Sequence, residues 1–170
     1  MAGETPVARA RRLTIEAMDT SDPARYDGPL ELARSLSALA RSTAGDSTWH
    51  REGLRADNEY RDLGLAAATG GRIGVKHIRA IAPFPQPTGW HWHDMTAHFV
   101  YVLQGWLTFR FAGVDGDVTV RMGEGLSQPA GVPHNVIARS DDLEVLEINV
   151  PAAYGTWTLD GPPAPWDRAP

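Results

Sequence analysis

The sequence predicts an all-β fold, a sandwich or barrel, with a helical extension at its N-terminus. After about residue 55 the chain consists of short runs rich in β-branched and aromatic residues, such as HFVYVL, WLTFRFAG and DVTVRM. Turn signals such as QG, VDGD and GEG separate these runs at regular intervals, which is typical of an all-β domain. Hydrophobic residues make up 42% of the 170 residues, so the chain can bury the core of one such domain.

The N-terminal extension covers residues 1–55. Residues 1–26 are polar and are predicted to form a partly ordered arm. A helix is predicted over roughly 29–42, because Pro29 suits a first helical turn and leucines recur at helical spacing. These leucines are Leu32, Leu36 and Leu39. The pattern leaves open whether the helix packs on the outside of the barrel or forms a dimer contact.

The predicted β domain covers residues 56–154, and a C-terminal tail follows it. Asp115 and Gly116 stand between two alternating runs, which favours a tight hairpin there. The tail, residues 155–170, is rich in proline and is predicted to lie on the surface or to fray.

Composition and charge exclude several functions. The formal net charge is −5 and no basic stripe is present, so nucleic acid is not an expected partner. The chain has no cysteine, which excludes disulfides, thiolate metal ligands and a cysteine nucleophile. No apolar run approaches the ~18 residues that a membrane span needs, and the N-terminus has no secretory apolar segment. We therefore expect a cytoplasmic protein without membrane contact.

Four histidines carry the strongest chemical signal. His91 and His93 are two apart, so in a strand both imidazoles point to the same face. His98 opens the run that returns antiparallel to them, and His134 opens another run after the rigid turn PAGVP. Four nitrogens can thus reach one point. Because neutral imidazole binds Fe, Zn, Cu and Ni ions, the pattern predicts one divalent transition-metal ion.

These residues also resemble the motifs of the cupin superfamily. The first motif reads G-x-x-x-x-x-H-x-H, then Glu, then Gly seven residues further on, and His91, His93 and Gly105 match it. The second motif reads G-x-x-x-x-x-P-x-G-x-x-H-x-x-x-N. Its matches are Gly123, Pro129, Gly131 and His134. The resemblance covers about residues 70–150 and implies a jelly-roll β-barrel with a metal site.

The sequence departs from the family pattern at three positions. Pro85 stands in place of the opening Gly, Ala138 in place of the closing Asn, and His98 in place of the Glu ligand. Four neutral ligands would leave the full 2+ charge on the metal, which makes it a stronger Lewis acid and favours anionic, chelating substrates such as enolates. This set also differs from the two-His-one-carboxylate arrangement of many iron oxygenases.

The resemblance implies a metal-dependent enzyme, and a dioxygenase is the first expectation. Its substrate would be a small chelating molecule, an enol, a diketone or a hydroxylated aromatic, with O₂ as co-substrate and iron as the metal. Manganese, nickel, zinc and copper are the alternatives. A non-redox isomerase, cyclase or decarboxylase is the alternative enzyme class, and a binding module without turnover is the third reading. No catalytic acid or base can be assigned from the sequence, and a homodimer is expected because open sheet edges tend to pair.

Other residues remain open or receive no role. His77 either lines the barrel near the metal or is a core or rim residue with a satisfied hydrogen bond. Trp92 alternates away from the histidines and should face outward or into an interface. Arg79 and Arg110 would meet a substrate carboxylate only if they pointed inward, and surface positions are preferred for both. His50 lies in a predicted loop, and no function is expected for it.

Overall fold

The structure is a computed structural model that describes residues 37–45, 48–53 and 55–163. The chain divides into two compact units, residues 1–37 and 38–170. Of the helix predicted over 29–42, the part before residue 37 lies outside the described residues. Residues 37–42 are not helical. In place of a helical hydrogen bond, the backbone N–H of Ala38 donates to the carbonyl of Ala68 at 2.8 Å.

The described residues form ten strands and one short helix, α1, at Leu65–Ala68. The strands are β1 Asn58–Asp62, β2 Gly74–Ala80, β3 His91–His93, β4 Ala97–Gln104, β5 Trp106–Phe111, β6 Val118–Arg121, β7 Gly125–Gln128, β8 His134–Arg139, β9 Glu144–Val150 and β10 Thr156–Thr158.

The strands build two five-stranded antiparallel sheets. Sheet I has the order β1-β2-β9-β4-β7, and sheet II has the order β10-β3-β8-β5-β6. Neighbours in each sheet are mostly distant in the sequence, as in a jelly roll, where hairpins fold over one another. The predicted all-β barrel is therefore confirmed.

The core lies between the inner faces of the sheets, and its composition changes along the strands. On β4 the buried positions alternate, so His98, Val100 and Val102 share the inner face. On β5 the buried aromatics Phe109 and Phe111 take the corresponding places. The inner face of β4 thus begins with a polar residue and continues with apolar ones, which places a polar site at one end of an apolar interior.

A β-bulge in β8 changes which side chains face the interior. Opposite β5, Phe109 pairs with Val136 but Thr108 pairs with Ala138, so β8 holds one extra residue at this point. A bulge shifts the alternation of the strand by one position. As a result both Val136 and Arg139 line the interior cavity.

The start of the C-terminal tail, predicted to lie on the surface or to fray, is exposed but forms a regular strand. Thr156–Thr158 forms β10, which pairs with β3 at the edge of sheet II. The indole rings of Trp157 and Trp92 stack with centroids 4.4 Å apart and an interplanar angle of 13°. This stack packs the outward-facing Trp92 and holds β10 against the strand that carries His91 and His93.

The described residues include no helix with the length and apolar character that would let it cross a bilayer.

Candidate metal centre

Three of the four predicted ligands converge at one end of the barrel. His91 and His93 lie on β3, and His134 opens β8 directly opposite His91. One ring nitrogen from each of the three lies within 4.8 Å of the others. All three side chains are buried. This is the geometry that one ion needs in order to contact three imidazoles.

Each of these histidines is held by a hydrogen bond at its other ring nitrogen. The Nδ1 of His91 lies 2.9 Å from the carbonyl oxygen of Gly89, and the Nδ1 of His134 lies 3.0 Å from that of Val132. A carbonyl only accepts, so Nδ1–H donates and Nε2 keeps its lone pair for a ligand bond. The chemistry of the donor set therefore fits a divalent transition metal.

Burial keeps the three imidazoles neutral. Desolvation lowers the pKa of His93 to about 4 and that of His134 to about 3, and it also lowers the pKa of His91. A histidine must be deprotonated at the binding nitrogen in order to ligate a metal. At neutral pH all three meet this requirement.

His98, the fourth predicted ligand, lies beside this cluster and outside the group of converging nitrogens. Its ring centroid is 5.6 Å from that of His93 and 6.1 Å from that of His134. Its Nε2 is 3.1 Å from Oε1 of Glu147 on β9. The structure therefore brings together three of the four residues and gives His98 a carboxylate partner.

Glu147 belongs to a polar cluster that the sequence analysis did not identify. The polar cluster comprises His98, Glu147, Lys76 and Tyr154. Lys76 faces Glu147 across the β2–β9 pair, with Nζ 3.8 Å from Oε2, and donates to the hydroxyl of Tyr154 at 3.1 Å. The Tyr154 ring lies edge-on to His93 with centroids 5.3 Å apart. Groups that can carry protons thus adjoin the three histidines.

The charges within this polar cluster stabilise one another. Burial raises the pKa of Glu147, but the hydrogen bond from His98 and the charge of Lys76 outweigh it, and the net shift is downward. Burial lowers the pKa of Lys76, but the charge of Glu147 outweighs it, and the net shift is upward. The pair therefore stays a carboxylate and an ammonium at neutral pH.

The three histidines and the polar cluster line the same cavity, which has a volume of about 290 Å³. Its polar end is formed by the three histidines and the polar cluster. Apolar side chains from both sheets form much of the remaining wall, among them Ile78, Val100, Phe109, Val136 and Val145. A cavity that joins apolar walls to a few converging polar groups is typical of a small-molecule site.

Three other residues considered from the sequence, His77, Arg79 and Arg110, do not line the cavity. His77 lies on the outer face of β2, with Nε2 2.9 Å from Glu144, and does not line the cavity. Its neighbour Lys76 does, because successive side chains of a strand alternate. Arg79 pairs with Glu59, and Arg110 pairs with Asp117 at 2.7 Å, which confirms the surface interpretation of both arginines.

His50, which received no role from the sequence, lines the cavity. It forms an isolated bridge with Tyr60, and the two rings stack with centroids 6.1 Å apart. His50 lies before the first strand in the sequence, and the strand pattern does not predict where it packs. Its bridge to Tyr60 on β1 places it beside the cavity.

The comparisons with known proteins agree with this fold and this site. Residues 80–149 match the family model described as the cupin domain. Residues 80–149 therefore carry a cupin domain, and the three-histidine cluster, whose two strands lie in it, fits a metal site. A comparison with curated protein sequences gives no match.

Solved structures with the same fold include a cyclase and a decarboxylase. The polyketide cyclase RemF from Streptomyces resistomycificus is 19% identical with a TM-score of 0.56, and the alignment covers 74% of this chain and 90% of RemF. Oxalate decarboxylase from Bacillus subtilis at pH 4.6 is 17% identical with a TM-score of 0.54 over 72% of this chain. Another structure of that enzyme, studied for its Mn(II) centres, is also 17% identical with a TM-score of 0.54 over 72% of this chain. The aligned part spans only about a third of each decarboxylase chain, 32% and 33%.

Removing the hydroxyl that supports His93 should weaken metal binding. The Nδ1 of His93 lies 2.8 Å from Oγ1 of Thr156 on β10. We expect Thr156→Val to lower metal affinity about 10- to 100-fold, the range for losing an outer-shell partner of a ligand histidine. Thr158→Val is the matched control, because Thr158 is equally exposed on the same strand but makes no hydrogen bond to a ligand histidine among the described residues. Titration with Zn²⁺ against a competing chelator measures both. Equal affinities in the two variants would contradict the assigned role.

Proposed function

We propose that the protein is a metal-dependent enzyme that acts on a small chelating substrate, an enol, a diketone or a hydroxylated aromatic, by non-redox chemistry. Isomerisation, cyclisation and decarboxylation belong to this class. The observation that carries the proposal is the position of Glu147, Lys76 and Tyr154 beside the three histidines. Such reactions need groups that bind, remove and return protons, and these residues supply them.

Each residue has a role that follows from its position. His91, His93 and His134 would hold the divalent ion, which supplies Lewis-acid polarisation of substrate oxygens when bound. The Lys76 ammonium attracts an anionic substrate into the polar end of the cavity. The Glu147 carboxylate can accept a proton from substrate at Oε1 or Oε2, and the Tyr154 hydroxyl can donate one. The apolar walls contact the apolar part of the substrate.

The named activities of the structural neighbours support this class. One is a polyketide cyclase and another an oxalate decarboxylase. The likeness itself is one of fold, and these activities enter here as support for the proposal. For the metal, the Mn(II) centres named for the decarboxylase add manganese to iron as a first choice for reconstitution.

Dioxygenase chemistry is the second candidate. It is favoured by three neutral nitrogen donors at the end of a largely apolar cavity, where an ion held by three protein ligands has coordination positions free for substrate. O₂ would then be the co-substrate and iron the expected metal. The two candidates differ in whether turnover needs O₂.

Turnover with and without O₂ separates the candidates. Protein purified without chelator and reconstituted with Mn²⁺, Fe²⁺ or Zn²⁺ is assayed against a panel of diketones and hydroxylated aromatics, in air and under strict anaerobiosis. Equal product formation in both atmospheres supports the non-redox enzyme. Product formation only in air, with matching O₂ uptake, supports the dioxygenase. Metal-dependent binding without turnover of any compound would leave a binding module.

The Glu147→Gln variant tests the proton-transfer role. We expect kcat to fall about 10²- to 10⁴-fold, the usual contribution of a positioned acid or base, with metal content unchanged. Glu144→Gln is the matched control, because Glu144 lies on the same strand and pairs with His77 on the outer face. Unchanged kcat in Glu147→Gln would remove this residue from the mechanism.

A further inference from the structure

The outer face of sheet I, which points away from the cavity, is apolar on the three central strands of that sheet. On β4 the buried inward positions alternate with Phe99, Tyr101 and Leu103, which face outward. The pairing of β9 with β4 and of β2 with β9 extends this face with further apolar side chains. The outer apolar patch is defined here as Val75, Phe99, Tyr101, Leu103, Leu146 and Ile148.

The outer apolar patch is contiguous, because its members are neighbours across the strands. Ile148 pairs in register with Phe99 on one side and with Val75 on the other, so these three form one row. Leu146 pairs with Tyr101 in the next row. Side chains that are paired in register on one face lie about 5 Å apart, and the rows therefore form one apolar surface.

Part of this surface is open to solvent. Tyr101 and Leu103 are 39% and 37% exposed, and the other members of the patch are partly buried. The outward positions of the neighbouring strand β7 are the small residues Gly125 and Ser127. The Phe99 ring lies so close to Gly125 that a Cβ at this position would come within 2.5 Å of it. The face thus continues onto β7 without a large side chain.

An apolar outer face is unusual for an antiparallel sheet whose other face packs on the core, because its outward positions are normally polar. Sheet II follows this rule on β5 and β6, where the outward positions include Thr108, Arg110, Thr119 and Arg121. Sheet I already supplies its inner face to the core. A contiguous apolar surface on its outer side therefore marks an interaction site.

The size of the face fits a second copy of the chain. Five strands at the usual spacing make sheet I roughly 24 Å wide, and the length of its central strands is also roughly 24 Å. Two such faces in contact would bury on the order of 1,000 Å² together, which is about the lower limit for a specific interface. Sheets also pack well face to face, at a distance of about 10 Å.

The border of the patch on the β1 side carries charges of both signs. Arg79 pairs with Glu59, and Glu144 accepts a contact from His77. A second copy would present the same mixture, so like charges do not dominate a contact between two copies.

We propose that the protein forms a two-fold symmetric dimer in which the outer apolar patches of two copies pack face to face. A two-fold axis brings the same surface of both copies together, so each side chain of the patch is buried twice per dimer. The homodimer expected from the sequence would then form through a sheet face rather than through open strand edges. The cavity lies on the opposite side of sheet I, and the dimer does not depend on the proposed function.

Sedimentation equilibrium of the whole chain tests the dimer. We expect the wild-type protein to have twice the 18.5 kDa mass of one chain. Tyr101→Glu should raise the dimer Kd at least about 100-fold, because two carboxylates per dimer would lose their hydration in an apolar contact. Val114→Glu is the matched control, since Val114 is an apolar residue of similar exposure, 42%, in the turn between β5 and β6. Its Kd should equal that of the wild-type protein.

A second variant keeps the test decisive if Tyr101→Glu fails to fold. Leu103→Glu changes the other exposed member of the patch and should weaken the dimer to a similar degree. Circular dichroism verifies that each variant is folded. Because the patch faces away from the cavity, both variants should keep the metal content of the wild-type protein.

The outcomes decide between the possible occupants of the patch. Dissociation confined to the two patch variants supports the proposed dimer. A wild-type protein that is monomeric up to about 1 mM overturns it and leaves the patch to residues 1–36 of the same chain or to another protein. A dimer that persists in both patch variants overturns it as well and places the interface elsewhere. Equal weakening in Val114→Glu would attribute the effect to added negative charge and would also overturn the proposal.

Discussion

Replacing His91, His93 or His134 singly by alanine is expected to abolish stoichiometric metal binding. The loss should exceed the 10- to 100-fold decrease typical of removing an outer-shell partner, because each substitution removes a ligand itself from a set of three. Metal content by mass spectrometry and affinity by competition with a chelator measure the effect. Near-stoichiometric metal in any of these variants would contradict the assigned site.

The His98→Ala variant distinguishes a three-histidine site from the four-histidine site that the sequence predicted. Since Nε2 of His98 is bound to Glu147, we expect metal content to remain near that of the wild-type protein. His77→Ala, on the outer face of β2, is the matched control. A loss of metal in His98→Ala as large as in His91→Ala would show that His98 turns from Glu147 to the ion, and would support the four-ligand prediction.

Replacing Asp57 by alanine is expected to destabilise the fold by about 3–5 kcal/mol, the range for removing one partner of a buried ion pair. The Arg139 side chain is 2% exposed and that of Asp57 is 9% exposed, so the substitution leaves an uncompensated cation in the interior. Chemical denaturation measures the free energy of unfolding. Asp117→Ala is the control, because the Asp117–Arg110 pair is exposed and its loss should change stability little. A small effect in both variants would contradict a stabilising role for the buried pair.

The same pair should make stability depend on pH in acid. Burial raises the pKa of Asp57, but hydrogen bonds from Arg55 and Arg139 outweigh it and hold the pKa below its ordinary value of 3.8. Because the pKa is lower in the folded state, the carboxylate stabilises the fold above about pH 3.8, and this contribution is lost as the pH falls through the folded-state pKa. In Asp57→Asn this part of the acid dependence should be absent.

The sequence by itself determined the fold class and most of the metal site. The β-branched and aromatic residues of HFVYVL specify a strand, and so does the alternation of apolar and polar residues in WLTFRF. A slip of one residue in the second strand would expose the core face. Local spacing also placed His91 and His93 on one face, and the rigid turn before His134 determined where β8 begins. These features depend only on residues that are close in the sequence, so the spacing of residue types predicts them.

The tertiary structure alone decided which other groups join the site. Glu147 and Lys76 meet because β2 and β9 pair, although seventy residues separate them in the sequence. A charged residue on the strand face that also carries Leu143 and Val145 was a signal for Glu147, but its partners were not predictable. The bulge that turns Arg139 inward and the pairing of β10 with β3 likewise depend on strand partners. The register between strands that are distant in the sequence results from the packing of the whole barrel. The β-propensity of neighbouring residues therefore does not predict it.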